Sequence, residues 1–155
     1  MIITRTPFRI SFFGGGTDFP KWYNENGGSV LSTTIDKYCY VSLRKLPPFF
    51  DYKHKIVFFS KQEAFNELDE IGHPAVRETY RFMNVMDGLV MQHDGDLPSH
   101  SGLGSSSAFT VGLLNALYAL QGRIVSKKRL ALEAIQIEQE MIREAVGSQD
   151  QIASA

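Results

Sequence analysis

The first half of the chain shows the alternation of polar and apolar residues, with a period of two, that is typical of β-strands. Where the alternation is weak, runs of Val, Leu, Thr and Ile favour the same structure. Four strands are predicted, over residues 9–12, 29–35, 37–43 and 55–60. Clusters of glycine or proline lie between most of them and predict turns.

The middle of the chain has a mixed pattern. Pro74 suits the first turn of a helix, which is predicted over residues 75–86. Residues 88–92 are a further strand candidate, and the stretch 93–104 is rich in turn-forming residues.

Two clearer helical patterns follow. Residues 105–120 are strongly apolar from Ala108 onward, with serines where caps belong. Ser126 is a favourable N-cap for a helix predicted to reach about Ala145, with Gly147 as its C-terminal stop. Strands come first and helices later, and this order favours an α+β fold over a doubly wound sheet.

Length and composition are those of one domain. The chain has 155 residues and a mass of 17.4 kDa, and its 43% hydrophobic and 21% charged residues exclude wholesale disorder. Its 16 basic and 17 acidic residues give a net charge of -1, so no basic surplus indicates nucleic-acid binding. Cys39 is the sole cysteine, no apolar run reaches membrane length and no long apolar signal segment opens the chain, so we expect a cytoplasmic protein.

The strongest chemical signal is a glycine-rich loop, from Pro98 to Ala108, that runs directly into the apolar helix. Glycines let a ligand approach the backbone, the first helical turn offers free N–H groups, and Ser105, Ser106 and Ser107 add hydroxyls. This chemistry suits a phosphate group, although the loop is neither a Walker A loop nor a dinucleotide fingerprint. A flexible turn with ordinary capping explains the spacing equally well, and the apolar helix that follows favours a binding site.

Glu138 is predicted to lie on the apolar face of the last helix. At 100° per residue, Leu130, Ile137 and Met141 share this face with it, whereas Glu144 is predicted to be solvated. A carboxylate in such a place needs a cation or hydrogen-bond donors, and a metal ion is one way to provide them. A glutamate at the edge of the face that reaches water is the simpler interpretation.

Two further segments contain a carboxylate in polar surroundings. In residues 147–151, Asp150 lies among amides and a hydroxyl that suit a base or a ligand, although on these residues alone a C-cap and a polar turn are the favoured interpretation. The strand that contains Arg9 leads into three glycines and Asp18, where backbone and carboxylate could approach a polyol. The alternative is a tight turn in which Asp18 caps a short helix over 19–23.

The remaining candidate residues carry little signal. His54, His73, His93 and His100 show no metal-ligand spacing, so surface or structural roles are predicted for them. Cys39 lies within an apolar strand and is predicted to be a core thiol.

Together, and in their order, these segments resemble the GHMP small-molecule kinases. The loop with Gly-Leu-Gly-Ser-Ser-Ser-Ala, residues 102–108, is similar to the family's signature loop, and residues 147–151 are similar to its segment ending in Asp-Gln. Residues 7–18 resemble the N-terminal motif of the sugar-kinase branch. Their amino-acid sequence is most similar to that of bacterial D-glycero-D-manno-heptose 7-phosphate kinases, and next to that of fucokinase-like domains. The resemblance covers nearly the whole chain.

The resemblance implies ATP and Mg²⁺ as cofactors, and it implies roles for the candidate residues. Ser106 and Glu138 are expected to ligate Mg²⁺. Asp150 is expected to take the proton from the anomeric hydroxyl of a sugar, and Arg9 to pair with its charge and stabilise the transferring phosphoryl group. The residues expected to bind the phosphates of ATP are Ser101, Gly102, Leu103, Gly104, Ser105, Ser106 and Ser107. Those expected to bind the sugar are Asp18, Thr17, Gly15 and Gly16.

The resemblance also implies a fold. The family's N-terminal domain is α+β, similar to the second domain of ribosomal protein S5, with a left-handed β-α-β crossover, and it packs against a second domain. Residues 1–155 correspond to that N-terminal domain, and the third motif, from the C-terminal domain, is absent. We therefore expect a fragment of a longer two-domain kinase that is poorly active by itself.

The function implied is phosphorylation of the anomeric hydroxyl of D-glycero-D-manno-heptose 7-phosphate, which gives the 1,7-bisphosphate. This product would serve the synthesis of heptose for surface polysaccharides. One alternative is a fucokinase- or galactokinase-like enzyme for an unphosphorylated sugar, and another is a non-catalytic regulator on the same fold that binds a sugar or a nucleotide. The phosphate of the substrate needs a basic site, for which Arg5, Lys21 and Lys55 are candidates. No nucleic acid or membrane partner is expected, and the oligomeric state is left open.

Overall fold

The fold is a five-stranded sheet with helices packed against it, seen in a computed structural model that describes residues 1–59, 61–98 and 101–155. Ser60, Ser99 and His100 lie outside the described residues. The surface or structural role predicted for His100 therefore also falls outside them. In chain order the elements are β1 (Ile2–Phe13), α1 (Pro20–Asn26), β2 (Leu31–Lys45), β3 (His54–Phe58), β4 (Lys61–Phe65), α2 (Pro74–Phe82), β5 (Leu89–Gly95), α3 (Ser105–Leu120), α4 (Lys127–Gln136) and α5 (Gln149–Ser154).

The sheet is mixed, with the strand order β1-β2-β5-β3-β4. The pair β3 and β5 is parallel, and the other three pairs are antiparallel. Parallel neighbours need a crossover, and β4 and α2 lie in the connection between β3 and β5. The α+β architecture predicted from the order of the elements is confirmed.

The strands β1, β2 and β5 are longer than the sequence pattern predicts, whereas β3 ends at Phe58. The two strands predicted over 29–35 and 37–43 form the single strand β2, because no glycine or proline between residues 31 and 45 interrupts the extended backbone. β4 was not predicted, since Lys61–Phe65 has few β-branched or aromatic residues and forms as an edge strand on β3.

The helix α3 has the bounds predicted for it, and it packs on β1 and β2. Gly112 allows the close approach, because a Cβ there would lie 2.7 Å from Oγ1 of Thr6. The Thr4 hydroxyl donates to the Gly112 carbonyl oxygen at 2.9 Å. Around this contact Cys39, Val41 and other apolar residues are buried, so the predicted core position of Cys39 is confirmed.

The last long helix ends earlier than predicted. α4 continues into a wide π-helical turn, Ile137–Ile142, and Arg143 then adopts a left-handed conformation with φ 64°. The predicted end at Ala145, with Gly147 as the stop, is therefore wrong. The helix ends at Arg143, and Gln149–Ser154 forms the further helix α5 where the sequence favoured a polar turn.

Smaller differences concern the other helices. α2 ends at Phe82 instead of residue 86, because Asn84 takes a left-handed conformation with φ 49°. The short helix α1 exists, but its N-cap is Phe19 and the Asp18 side chain does not cap it. Among the described residues, no helix is long and apolar enough to cross a membrane.

Candidate active site

Arg9 owes its orientation to an irregularity in β1. The pairing of β1 with β2 shifts register between Pro7 and Arg9. Bulges of this kind re-aim a side chain, and here Phe8 and Arg9 are both buried although they are consecutive in the chain. The shift separates Arg9 from Arg5, which is exposed and lies over the ring of Tyr38.

The guanidinium of Arg9 binds the carboxylate of Asp150 through two hydrogen bonds. Nε donates to Oδ1 and Nη2 donates to Oδ2, each at 2.7 Å. The side chain of Arg9 is 10% exposed and that of Asp150 is 24% exposed, so the carboxylate remains accessible at the surface of the site. Planar bidentate pairs of this kind fix the carboxylate in orientation as well as in charge.

Arg9 also holds the glycine-rich loop. Its backbone N–H donates to the Leu103 carbonyl oxygen at 3.1 Å, and Nη1 donates to the Gly102 carbonyl oxygen at 3.0 Å. A Cβ at Gly104, where φ is 77°, would lie 3.2 Å from Cγ of Arg9 and 3.3 Å from Oδ2 of Asp150. Only glycine fits this conformation and this spacing without displacing the pair.

The loop ends at the N-terminus of α3. The first backbone bond of the helix runs from the Ala108 N–H to the Gly104 carbonyl oxygen at 2.9 Å. The N–H groups of the three serines before Ala108 therefore have no partner within the helix, and the helix dipole favours an anion beside them. Ser105 and Ser106 line the cleft described next, whereas Ser107 is buried.

One cleft of about 460 Å³ joins the Arg9–Asp150 pair to Ser105 and Ser106. Aromatic residues also line the cleft and form its aromatic wall: Phe8, Phe59, His73, His93 and Phe109.

The histidines of this wall are packed against aromatic rings. The ring of His73 stacks on Phe58 at 4.7 Å, and His93 meets Phe109 edge-on at 4.9 Å. Burial lowers the pKa of His93 to about 4 and also lowers the pKa of His73, so both rings are uncharged at neutral pH. His73 and His93 therefore have the structural role predicted for them, and both also line the cleft.

Glu138 lies outside the residues that line the cleft, in a buried cluster next to it. Its side chain accepts hydrogen bonds at Oε2 from the Ser107 hydroxyl, at 2.9 Å, and from the Gln151 amide. Burial raises the pKa of Glu138. The nearby Thr110 hydroxyl, which donates to the Ser106 carbonyl oxygen at 3.3 Å, opposes that rise together with the donors on Ser107 and Gln151. The predicted position on the apolar face is confirmed. The simpler interpretation, a glutamate that reaches water, is wrong, because Glu138 is 1% exposed.

Asp18 ties the N-terminal glycine turn to the start of α5. Its Oδ1 accepts from the Gly16 N–H at 2.9 Å, and its Oδ2 accepts from the Gln149 N–H at 3.1 Å. The carbonyl oxygen of Asp18 accepts from the Ser148 N–H at 3.2 Å. Asp18 is 7% exposed, and Gly147 has no room for a Cβ, which would lie 1.8 Å from Oδ2.

The other predicted sugar-binding residues near Asp18 either form hydrogen bonds within the protein or are exposed to solvent. The Thr17 hydroxyl donates to the Gly14 carbonyl oxygen at 2.8 Å and accepts from the Ser29 N–H at 3.2 Å. Gly15 and Gly16 are exposed. The structure thus divides the predicted residues into three groups, around the Arg9–Asp150 pair, Glu138 and Asp18.

One acidic residue of the cleft was missed. Glu144 was predicted to be solvated, and it is exposed, but it also lines the cleft. Its N–H donates to the Glu138 carbonyl oxygen at 2.9 Å, which closes the wide turn at the end of α4. A regular helix to residue 145 would have placed it elsewhere, and the sequence carries no signal for the turn.

The donors present suit a hard cation. Oε1 of Glu138 is buried and accepts no hydrogen bond from any described residue, and the Ser106 residue lines the cleft. Within residues 1–59, 61–98 and 101–155 no group of three or more His, Cys, Asp or Glu could hold a metal ion. Mg²⁺ needs only one or two protein oxygens when substrate phosphates and water complete its shell, so the site fits this ion.

Residues 65–155, more than half of the chain, match the family model of the GHMP kinases N terminal domain. The chain belongs to the GHMP kinase family. The glycine-rich loop, Glu138 and Asp150 all lie within the matched residues of this GHMP kinase domain.

Two curated relatives of this GHMP kinase chain are named as kinases of a sugar phosphate and of a sugar. The D-glycero-alpha-D-manno-heptose 7-phosphate kinase of Campylobacter jejuni is 28% identical over 99% of this chain and 48% of its own length. The galactokinase of Pyrococcus furiosus is 27% identical over 98% of this chain and 43% of its own length. This chain therefore spans about half the length of the curated relatives it matches.

The fold is shared with solved structures. The crystal structure of a D-glycero-D-manno-heptose 1-phosphate kinase from Bacteroides thetaiotaomicron matches all of this chain and 53% of that one, with a TM-score of 0.88. At 22% identity this likeness shows the fold alone.

Proposed function

We propose that these 155 residues are the N-terminal part of a two-domain, ATP-dependent sugar kinase. The observation that carries the proposal is the shared cleft, in which the Arg9–Asp150 pair faces Ser105 and Ser106 at the N-terminus of α3. Phosphoryl transfer requires a hydroxyl-orienting carboxylate and an anion site on one cavity, because positioning and charge stabilisation provide most of the catalysis.

Asp150 is proposed as the general base. Each of its oxygens accepts one hydrogen bond from Arg9, and each keeps a lone pair that can accept a proton from a sugar hydroxyl. Its partial exposure leaves it within reach of a substrate in the cleft. Arg9 holds the carboxylate in place and is a cation close to the charge that develops during transfer.

The phosphates of ATP are proposed to bind at the loop and the first turn of α3. The free N–H groups of Ser105, Ser106 and Ser107 point out of the helix end, and Gly102 and Gly104 allow close approach of the backbone. The hydroxyl of Ser106 and Oε1 of Glu138 would hold Mg²⁺. When bound, Mg²⁺ would neutralise negative charge on the phosphates.

The nucleotide base is proposed to contact the aromatic wall of the cleft. Phe59 is 54% exposed and lines the cleft beside His93, so a flat ring can be covered there. The rings of His73 and His93 are uncharged and add no electrostatic cost to burial of a neutral base.

The proposed acceptor is the anomeric hydroxyl of D-glycero-D-manno-heptose 7-phosphate. The similarity to the heptose kinase of Campylobacter jejuni supports this acceptor. Among the candidate residues for its phosphate, Lys21 is exposed on α1 three positions after Asp18, and Arg5 is exposed on the strand before the register shift. Because Asp18 is expected to bind the sugar, the closeness of Lys21 to it in the chain makes Lys21 the better candidate for the phosphate site.

A second candidate acceptor is an unphosphorylated sugar such as galactose or fucose. The galactokinase of Pyrococcus furiosus supports it, since its identity to this chain is 27%, nearly the same as that of the heptose kinase. A non-catalytic regulator is the less favoured alternative, because such a protein has no need of an accessible carboxylate fixed by arginine beside an anion site.

A panel of sugars tests the proposal. The full-length protein is incubated with ATP, Mg²⁺ and each of heptose 7-phosphate, galactose and fucose, and the ADP and the phosphorylated product are quantified. We expect turnover of heptose 7-phosphate, with the product phosphorylated at the anomeric position. Turnover of an unphosphorylated sugar alone would favour the second candidate, and no transfer to any sugar would contradict the kinase proposal.

The isolated chain provides a second test. Residues 1–155 alone are proposed to bind ATP weakly and to turn over little, because the proposed C-terminal domain contributes the rest of the cleft. Robust turnover by the isolated chain would overturn the two-domain proposal without affecting the assignment of the base.

A further inference from the structure

The two oxygens of the Glu138 carboxylate have different surroundings. Oε2 accepts two hydrogen bonds, from the Ser107 hydroxyl and the Gln151 amide, whereas Oε1 is buried and accepts none from the described residues. A buried carboxylate oxygen without a donor is costly, so the unpaired Oε1 needs an explanation that the described protein donors do not provide.

Gln151 is committed to this contact. Gln151 is 0% exposed, and its amide nitrogen donates to Glu138. Its amide oxygen, Oε1, has no hydrogen-bond partner among the described residues. A leucine or methionine would fill the same volume without burying an unpaired amide oxygen, so packing alone does not favour glutamine here.

Gln151 also follows Asp150 directly in α5. Neighbouring residues of a helix project about 100° apart, so the helix directs Asp150 to Arg9 and Gln151 to Glu138. One short helix therefore contacts both the proposed base and the proposed cation ligand.

We propose that Gln151 is a positioning residue, whose amide holds Oε2 of Glu138 so that Oε1 is presented to a divalent cation. The inference rests on the proposed function, because it takes Glu138 as the cation ligand. The hydroxyl of Ser107 provides the second donor to Oε2 and fixes the carboxylate from the side of α3. Donors of this kind orient a ligand and tune its affinity without touching the ion.

The test is the affinity of the full-length protein for Mn²⁺, measured by electron paramagnetic resonance in the presence of a non-hydrolysable ATP analogue. Gln151→Met keeps the side-chain length and removes the donor, and we expect Mn²⁺ to bind about 10- to 100-fold more weakly. Ser154→Ala is the matched control, since Ser154 is a buried polar residue of the same helix that makes no hydrogen bond to Glu138. We expect it to bind Mn²⁺ like the wild type.

A second pair of variants keeps the test decisive if Gln151→Met does not fold. Gln151→Asn retains the amide but shortens its reach, and Ser107→Ala removes the other donor, so both are expected to weaken Mn²⁺ binding. Folded variants at Gln151 that bind Mn²⁺ as tightly as the wild type would overturn the positioning role, even if their thermal stability falls.

Failure of the proposed function gives a different pattern. If the wild-type protein neither binds Mn²⁺ with the ATP analogue nor transfers phosphate to any sugar, the proposed function fails and the inference with it. If the wild type does both and the Gln151 variants keep their Mn²⁺ affinity, only the positioning role is wrong.

Discussion

Arg9 and Asp150 are 141 positions apart in the chain, and their side chains form a two-fold hydrogen-bonded ion pair with both distances at 2.7 Å. The pair connects the first strand to the last helix and lies on the cleft that also contains the start of α3. The position of the proposed base is therefore determined by tertiary contacts, and the pair is the most informative place to perturb.

Replacement of Arg9 by lysine is expected to lower kcat about 100-fold, because lysine keeps the charge but cannot bind both oxygens of Asp150 or the Gly102 carbonyl oxygen together. Steady-state kinetics of sugar phosphorylation by the full-length protein measure this. Arg44→Lys is the control, since Arg44 is exposed on the neighbouring strand β2 and is expected to keep the wild-type rate. A rate for Arg9→Lys equal to that of the control would exclude a role for the bidentate geometry.

Gly104→Ala is expected to lower both stability and activity. The left-handed conformation costs a non-glycine residue about 1–3 kcal/mol, and the new Cβ would press on Arg9 and Asp150. Gly122→Ala has the same backbone cost, with φ 72° and no atom within 4 Å of the Cβ, and is expected to lose stability but keep the catalytic rate. Chemical denaturation and kinetics of both variants separate the two effects. Equal loss of activity in both would show that the contact with the pair is unimportant.

Asp18→Asn tests whether the aspartate does more than contact a sugar. The amide nitrogen introduced would face a backbone N–H of Gly16 or Gln149, so we expect the free energy of unfolding to fall by about 1–3 kcal/mol. Urea denaturation without substrate measures this, and Asp87→Asn, at an exposed ion pair, is expected to change little. A wild-type stability for Asp18→Asn, with only a raised KM for the sugar, would indicate a purely substrate-binding residue.

Acid is expected to destabilise the fold through the histidines of the aromatic wall. The pKa of His93 is about 4 in the folded chain, below its ordinary value of 6.5, so the unfolded chain binds more protons between these two pH values. Stability is therefore expected to fall as the pH is lowered from 6.5 towards 4, with at most about 1.4 kcal/mol per pH unit from one histidine. Urea unfolding at several pH values measures the slope, which His93→Gln should reduce. An unchanged slope in the variant would contradict the buried, uncharged state of His93.

Local sequence signals predicted some elements accurately. The bounds of α3 followed from its serines and its apolar run, and the position of Glu138 on the apolar face followed from the helical period, since both depend on neighbouring residues. The same pattern favoured a Glu138 side chain that reaches water, and its burial became visible only in the folded chain. The wide turn after α4 and the pairing that forms β4 depend on distant packing, and the pattern along the chain carried no signal for them.

The site was predictable as a set of residues but not as a geometry. The register shift that turns Arg9 into the cleft depends on how β1 pairs with β2, and the bond from Gln149 to Asp18 joins segments that are 131 positions apart. The resemblance to the family's motifs was what connected these separate residues to a single predicted site. That Glu138 contacts Ser107 and Gln151, and forms no hydrogen bond with Ser106, became visible only in the folded chain.

The most direct test of the account is single-turnover phosphoryl transfer from ATP to heptose 7-phosphate by the full-length protein and by Asp150→Asn. Asparagine has the size of aspartate but cannot take the proton, so we predict a rate about 10²- to 10⁴-fold lower with ATP binding preserved. Asp94→Asn, at an exposed residue of β5, is the control and should transfer at the wild-type rate. Transfer by Asp150→Asn at the wild-type rate would contradict the assignment of Asp150 as the base.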